Sequence, residues 1–443
     1  MRRFIEARVH PAWVVVGVTF LALLAAAGFR STIGVFIVPL EQDFGWGRDD
    51  VSIAIAVNLV CYGLVAPFAA ALVERMGPRA VVGLALGAIA VGAALSIGIT
   101  ALWQLNVLWG PVVGLATGAI SVPLSAIIAT RWFIRHRGLV TGLLTAAFAT
   151  GNLIFLPLLA WITTTMGWRT AAVLVAALAA LTIPVVLTFM RNHPADADVP
   201  PYGGDVVVPA PPRPSGSPFA EPLRVLSAAS RIPDFWRLAG TFFICGWTTN
   251  GAVQAHFIPA AHDHHLPEVT AASILAVIGV FDIAGSTISG WLTDRVDPRR
   301  LLFVFYSLRG IALAMLVPLL TGPRWSLLVF AIIYGLDWVA TVPPTVSLTV
   351  TVVGRERAGV VFGWICGTIF AREGGGMLCL CAHMLGGAAA WLAGFAREAL
   401  GDYLVAFMGG GLLAIAAGFV SLTIARGSRQ RPDLEVATAS SPA

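Results

Sequence analysis

Two short stretches, Glu74-Arg75-Met76-Gly77-Pro78-Arg79 and Asp294-Arg295-Val296-Asp297-Pro298-Arg299-Arg300, follow one pattern: an acid, an arginine, two residues, a proline and a further arginine. Their acids stand 220 residues apart in a chain of 443. Each stretch is flanked by long apolar runs. Around the first lie runs near 12–38, 50–73, 80–102, 106–130, 139–163 and 170–190; around the second, runs near 236–258, 271–292, 300–320, 326–352, 359–395 and 404–425. A helix that crosses a bilayer needs about 20 predominantly apolar residues. The pattern therefore predicts an all-α membrane protein of twelve spans, in two six-helix bundles. Both stretches follow the second span of their half, so the halves repeat in the same orientation.

Composition agrees with this reading. The chain is 58% hydrophobic and 12% charged, whereas soluble domains carry about a quarter charged residues. Net charge is +5 and pI about 9.3. A basic chain raises the question of nucleic acid, but all 28 basic residues are arginine and most sit in short loops between apolar runs. That placement reads as topology, not as a nucleic-acid surface. With the N-terminus inside, 21 arginines fall on inner segments and 4 on outer loops, leaving Arg30, Arg309 and Arg372 within apolar runs. Both termini are therefore expected in the cytoplasm, in a bacterial-type inner membrane. The first apolar run, preceded by Arg2 and Arg3, imitates a signal peptide, but the spans that follow it make an uncleaved first helix the better reading.

The expected organisation is a bundle over 1–190, a cytoplasmic linker over 191–234 rich in Pro and Gly and expected to be flexible, a second bundle over 235–426, and a tail over 427–443. The run from 359 to 395 is too long for one helix and short for two. Arg372-Glu373-Gly374-Gly375-Gly376 interrupts it, and one crossing with a broken or extended start is expected. The five cysteines, Cys61, Cys245, Cys366, Cys379 and Cys381, lie in apolar stretches without metal-type spacing, so neither a metal site nor a disulfide framework is expected. No cofactor is implied.

The acid-Arg-x-Gly-x-Arg loop after span two resembles the signature loop of the major facilitator superfamily, with Gly290 four residues before Asp294 in the second copy. The chain departs from the motif at Ala70, Glu74 and Asp297. Parallel repeats of this kind belong to that transporter architecture. A narrower resemblance, to the monocarboxylate transporter and oxalate/formate antiporter branch, rests on Arg30-Ser31-Thr32-Ile33-Gly34-Val35-Phe36 in span one. It extends to Arg131-Trp132-Phe133 with Arg137-Gly138 before span five, and to Tyr334-Gly335-Leu336-Asp337-Trp338 leading to Pro343-Pro344-Thr345. Carriers of that branch often pair an acid with an arginine one turn later in span eight. Here Asp282 matches the acid, and Ser286 stands where the arginine would be. The resemblance implies alternating access, spans one, four, seven and ten lining the cavity, and a monomer.

Ionisable groups inside a span cost roughly 2.5–3.5 kcal/mol each on insertion scales, so each needs a partner or a pathway. Arg30 lies roughly 27 Å from the inner end of span one. Its planar fork suits a carboxylate; the alternative is snorkelling to outer headgroups. Asp282 in span eight and Arg309 in span nine lie roughly 15 and 12 Å deep, so an ion pair between them is expected, either as a structural lock or as part of substrate or proton coupling. Asp337 in span ten is a second candidate for proton coupling, or for capping a neighbouring arginine. Further polar candidates for substrate contact are Asn58, Tyr62, Asn152, Thr248, Asn250 and His256, which equally suit helix–helix packing; His383 stands behind them. Glu74, Arg75 and Arg79, with Asp294, Arg295 and Arg299, read as gate elements. The acids are placed to meet a loop arginine or a neighbouring helix N-terminus. His262, His264 and His265 beside Asp263 read as a solvated loop.

The reading that results is a secondary transporter of a small-molecule substrate, most simply a small organic anion of monocarboxylate type, with proton coupling or exchange. The alternatives are proton-coupled efflux of amphipathic compounds and a transporter-like membrane sensor. No clustered nucleophile, metal set or interfacial acid–base pair suggests an enzyme.

Overall fold

The computed structural model describes residues 10–46, 48–210, 219–367, 369–371, 378–380, 393, 396 and 399–424. Among them, nine helices are long and apolar enough to cross a membrane. Span one is Pro11–Phe44, span two Arg48–Met76, span three Pro78–Ser96, span five Arg137–Met166, span six Trp168–Phe189, span eight Glu268–Thr293, span nine Pro298–Leu320 and span twelve Leu404–Ser421. Span four runs over Leu102–Trp132 and span ten over Arg324–Val353. Span seven is Pro233–Gly246 and Ala255–Asp263 joined by the π-helical Trp247–Gln254, and span eleven begins with Arg355–Gly367.

The joints follow from local chemistry. Span one ends at Gly45, whose φ of 68° accepts the left-handed cap and sends its N–H back to the Glu41 carbonyl. Pro78 and Pro298 open spans three and nine at positions where a missing N–H costs nothing. Asp297 caps span nine by accepting the Arg299 amide at 3.0 Å. The same side chain binds the Arg299 guanidinium, which holds its carboxyl below the ordinary carboxylate range.

Small residues let the helices approach. Gly110, Gly114 and Gly118 recur every fourth residue on span four, and a methyl group on them would meet Val57, the Asn58 carbonyl and the Tyr62 carbonyl of span two. Span one packs on span five, span three on span six, span eight on span ten and span nine on span twelve. The halves meet along two seams, span five on span eight and span two on span eleven.

One part of the chain differs from expectation. The linker over 191–234, expected to be flexible, is docked as far as Gly204. Tyr202 donates its amide to the Trp132 carbonyl at 2.8 Å and its carbonyl accepts from the Ile134 amide at 2.9 Å, with its ring packed edge-on against His10 and Trp13. The short helix Ala220–Ala229 then lies on span eleven, where the Trp364 indole donates to the Pro222 carbonyl at 2.9 Å. Pro- and Gly-rich composition weakens a core of its own but leaves backbone groups free to bond a neighbour. After span eleven's first helix, Ile369–Ala371 pairs antiparallel with Leu378–Leu380. Residues Arg372 to Gly376 and His383 lie outside the described residues.

Candidate functional site

Arg30 sits half-buried in span one. Its guanidinium carbon lies 4.4 Å from the ring centre of Tyr62 in span two and 5.2 Å from that of Phe148 in span five. Both rings stabilise the guanidinium by cation–π contact, and its planar fork suits a carboxylate. No carboxylate among the described residues comes within ion-pairing distance of it. Span eleven of the second half packs on the same span two, with Gly363 against Pro67.

The buried charges of the second half form a separate cluster around an interruption in span ten. The helix Arg324–Asp337 stops and Val342–Val353 begins after a turn over 338–341. The expected Asp282–Arg309 pair does not form; Arg309 instead donates from Nε to Asp337 Oδ2 at 2.6 Å. Similar depth along the membrane normal does not fix which way a side chain points around its helix, and Arg309 points to span ten. Its Nη2 donates to the carbonyls of Asp337 (2.6 Å) and Trp338 (3.0 Å). Its Nη1 lies 2.7 Å from Cys245 Sγ in span seven. Arg309 has no accessible surface, and Asp282 and Asp337 are 3% and 2% exposed. Asp282 Oδ1 accepts the Val339 amide at 3.1 Å, and the Ser289 hydroxyl donates to the Ala340 carbonyl. Asp337 Oδ1 is buried without a partner.

Most other polar candidates are committed to protein groups. Asn58 donates to the Trp109 carbonyl at 2.5 Å, tying span two to the π-helical turn of span four. Thr248 bonds the Ile244 and Cys245 carbonyls of its own helix. His256 Nδ1 lies 3.3 Å from the Tyr403 hydroxyl, at the opening of span twelve. The side chains of Asn152 and Asn250 lie outside the described residues.

At the arginine-rich end, the two loop acids occupy equivalent places and take different partners. Asp294 crosses to the other half, accepting the Gly138 amide at 2.8 Å and the Leu139 amide at 3.0 Å at the N-terminus of span five. Glu74 stays within its half and pairs with Arg131 at 2.8 Å. Arg131 also donates to the Asn192 carbonyl at 3.0 Å, and the Arg79 amide donates to Asn192 Oδ1 at 3.1 Å. Arg75 is exposed. Arg295 folds back over Trp291, 4.0 Å from its ring centre, and Arg299 binds Asp297. Arg295 therefore bonds the end of its own span eight, and Arg299 bonds within its own loop. Arg355, counted in the sequence only as a topology signal, donates to the Thr130 and Phe133 carbonyls at 2.7 and 3.3 Å and so also joins the halves. The spacings Gly138-xxx-Gly142 and Ser286-xxx-Gly290 mark this seam: a methyl on Gly142 would meet the Ser286 carbonyl and Gly290.

The Major Facilitator Superfamily profile matches residues 19–378. The chain belongs to this superfamily. It is a multi-pass membrane transporter and not an enzyme, as are its relatives. Monocarboxylate transporter 11 of Homo sapiens is 27% identical over 435 residues, covering 94% of this chain and 83% of that protein. The uncharacterized MFS-type transporter YcxA of Bacillus subtilis (strain 168) is 25% identical over 356 residues, covering 76% of this chain and 79% of that protein. Among solved structures, the E. coli fucose:proton symporter FucP superposes with a TM-score of 0.65 at 15% identity, over 93% of this chain and 98% of that one. The proton:xylose symporter XylE superposes with a TM-score of 0.59 at 13% identity, over 94% of each chain. At such identities these structures bear on the fold alone.

Proposed function

We propose that this transporter carries a small organic anion with a single carboxylate by alternating access, and that proton movement is coupled to it in the buried charge cluster of the second half. The observation that carries the reading is Arg30, a guanidinium held between two aromatic rings with no carboxylate partner among the described residues. One such charge matches one carboxylate, and a fixed fork pairs with it through two parallel charged hydrogen bonds. The relatives named monocarboxylate transporters support the same substrate class. The unpartnered Oδ1 of Asp337 supports coupling, because a buried carboxyl oxygen without a donor is a natural place for a proton. In this reading the arginine-rich end faces the cytoplasm of a bacterial-type inner membrane, and the protein works as a monomer. The alternative is proton-coupled efflux of amphipathic compounds, which the rings beside Arg30 would suit and its charge counts against.

The test is uptake into proteoliposomes of labelled lactate, pyruvate, oxalate, formate and longer 2-oxo acids, with and without an inward proton gradient. Gradient-driven uptake of a monocarboxylate, abolished in Arg30→Gln and not restored in Arg30→Lys, is the expected outcome. Folded protein that moves no acid in either direction would sink the anion reading and leave efflux as the next assay.

A further inference from the structure

We infer that the two buried acids of the second half do different work: Asp282, with Ser289, is a positioning residue that completes the backbone of the interrupted span ten, while Asp337 is the acid left open to a proton. The second half of this statement rests on the coupling proposed above; the first stands on geometry alone.

The interruption begins with Pro343 and Pro344. A proline has no N–H and its ring crowds the carbonyl four residues earlier. In a continuous helix Pro343 and Pro344 would face the carbonyls of Val339 and Ala340, and neither can donate. The Val339 carbonyl is satisfied by the tighter bond from the Val342 amide at 3.0 Å. The Ala340 carbonyl receives the Ser289 hydroxyl of span eight. One turn earlier, the Gly335 carbonyl accepts the Trp338 amide at 3.1 Å, which leaves the Val339 amide to find another acceptor. Asp282 Oδ1 supplies it. Asp282 and Ser289 lie seven residues apart, two turns along one face of span eight. They replace one acceptor and one donor that the helix lacks. A buried backbone group left without a partner is costly, so these side chains fix the turn in place.

Asp337 differs in kind. Its Oδ2 and backbone carbonyl are held by Arg309, and its Oδ1 faces no donor. Protonation there removes the countercharge of Arg309 without removing any backbone bond of the turn. Asp282 serves the turn through the Oδ1 acceptor of the Val339 amide, a bond that does not depend on its charge. The charged groups facing the cluster are Asp282, Arg309 and Asp337 on spans eight, nine and ten, with Cys245 from span seven and the Tyr306 and Tyr334 hydroxyls bonded to the Thr241 and Thr248 carbonyls of span seven.

The deciding experiment is peptide-resolved hydrogen exchange across residues 338–342 on the full-length protein in detergent, which needs no substrate. Asp282→Leu and Ser289→Ala should each speed exchange there by about tenfold, the size of effect a lost buried hydrogen bond gives, while Asp282→Asn, which keeps an acceptor oxygen, should match the wild type. Unchanged exchange in Asp282→Leu overturns the positioning role. In proteoliposomes, Asp337→Asn should flatten the pH dependence of transport while Asp282→Asn preserves it; the reverse pattern overturns the assignment. If the wild type carries no acid, the anion reading fails and the exchange result still decides the role of Asp282.

Discussion

Arg309 shows how a buried charge is made tolerable. Every direction in which its guanidinium points ends on an acceptor: the Asp337 carboxylate, two backbone carbonyls and a thiol. Removing one member of a buried ion pair typically costs about 3–5 kcal/mol because the other charge is left uncompensated, whereas replacing both with apolar groups is often close to neutral. Arg309→Met should therefore lower thermal stability in detergent strongly, and Arg309→Met with Asp337→Leu should recover part of the loss, though the freed Asp337 and Trp338 carbonyls keep the recovery incomplete. A double variant no more stable than Arg309→Met would show that the pair's charge balance is not what the single change disturbs. Arg30 has the opposite design. It is steadied by rings, with no carboxylate partner among the described residues, which is why it serves as the candidate anchor and Arg309 as a strut.

At the scale of the helix, what could be read in advance depended on whether the information was local. Span positions, the loop repeat and the arginine asymmetry are properties of short stretches, and the expected helices follow them. That Asp337 caps a neighbouring arginine was open from the sequence, but that Arg309 would take Asp337 rather than Asp282 was not readable in this way. Depth along the membrane normal comes from counting residues at about 1.5 Å each, and by that count Asp282 and Arg309 lie within about 3 Å of each other. Azimuth around the axis depends on packing, and the break in span ten turns Asp337 toward span nine. Pro343-Pro344 was visible as a motif, but that Asp282 and Ser289 would complete the broken backbone required knowing which helix lies opposite. The seam between spans five and eight was nearer to legible, through Gly138-xxx-Gly142 and Ser286-xxx-Gly290. Because a Cβ at position 142 would run into the Ser286 carbonyl, Gly142→Leu should hold the halves apart at the arginine-rich end. Cross-linking between cysteines placed on spans five and eight near that end should fall sharply in this variant, and an unchanged yield would mean that the seam has room to spare.

At the scale of the whole molecule, the arginine-rich end is closed by bonds that join helix termini across the halves. Asp294 accepts two amides at the start of span five, and Arg355 donates to two carbonyls at the end of span four. Each side chain thus meets the end of the helix dipole that its charge complements. Such contacts suit a cycle. A helix cap is worth typically about 1 kcal/mol, enough to bias one state and weak enough to be released when substrate binding or protonation favours the other. It follows that Asp294→Ala should shift the balance toward opening at this end by roughly fivefold, without unfolding either bundle, since the acid makes no bond within its own half among the described residues. Spin labels at the exposed positions of Arg135→Cys and Val296→Cys would report it as a longer-distance population growing in the Asp294→Ala protein. Glu74→Ala, whose acid pairs with Arg131 of its own half, should move that distribution much less. Equal shifts in the two variants would mean that the loops act through general repulsion among the arginines rather than through a cap on span five.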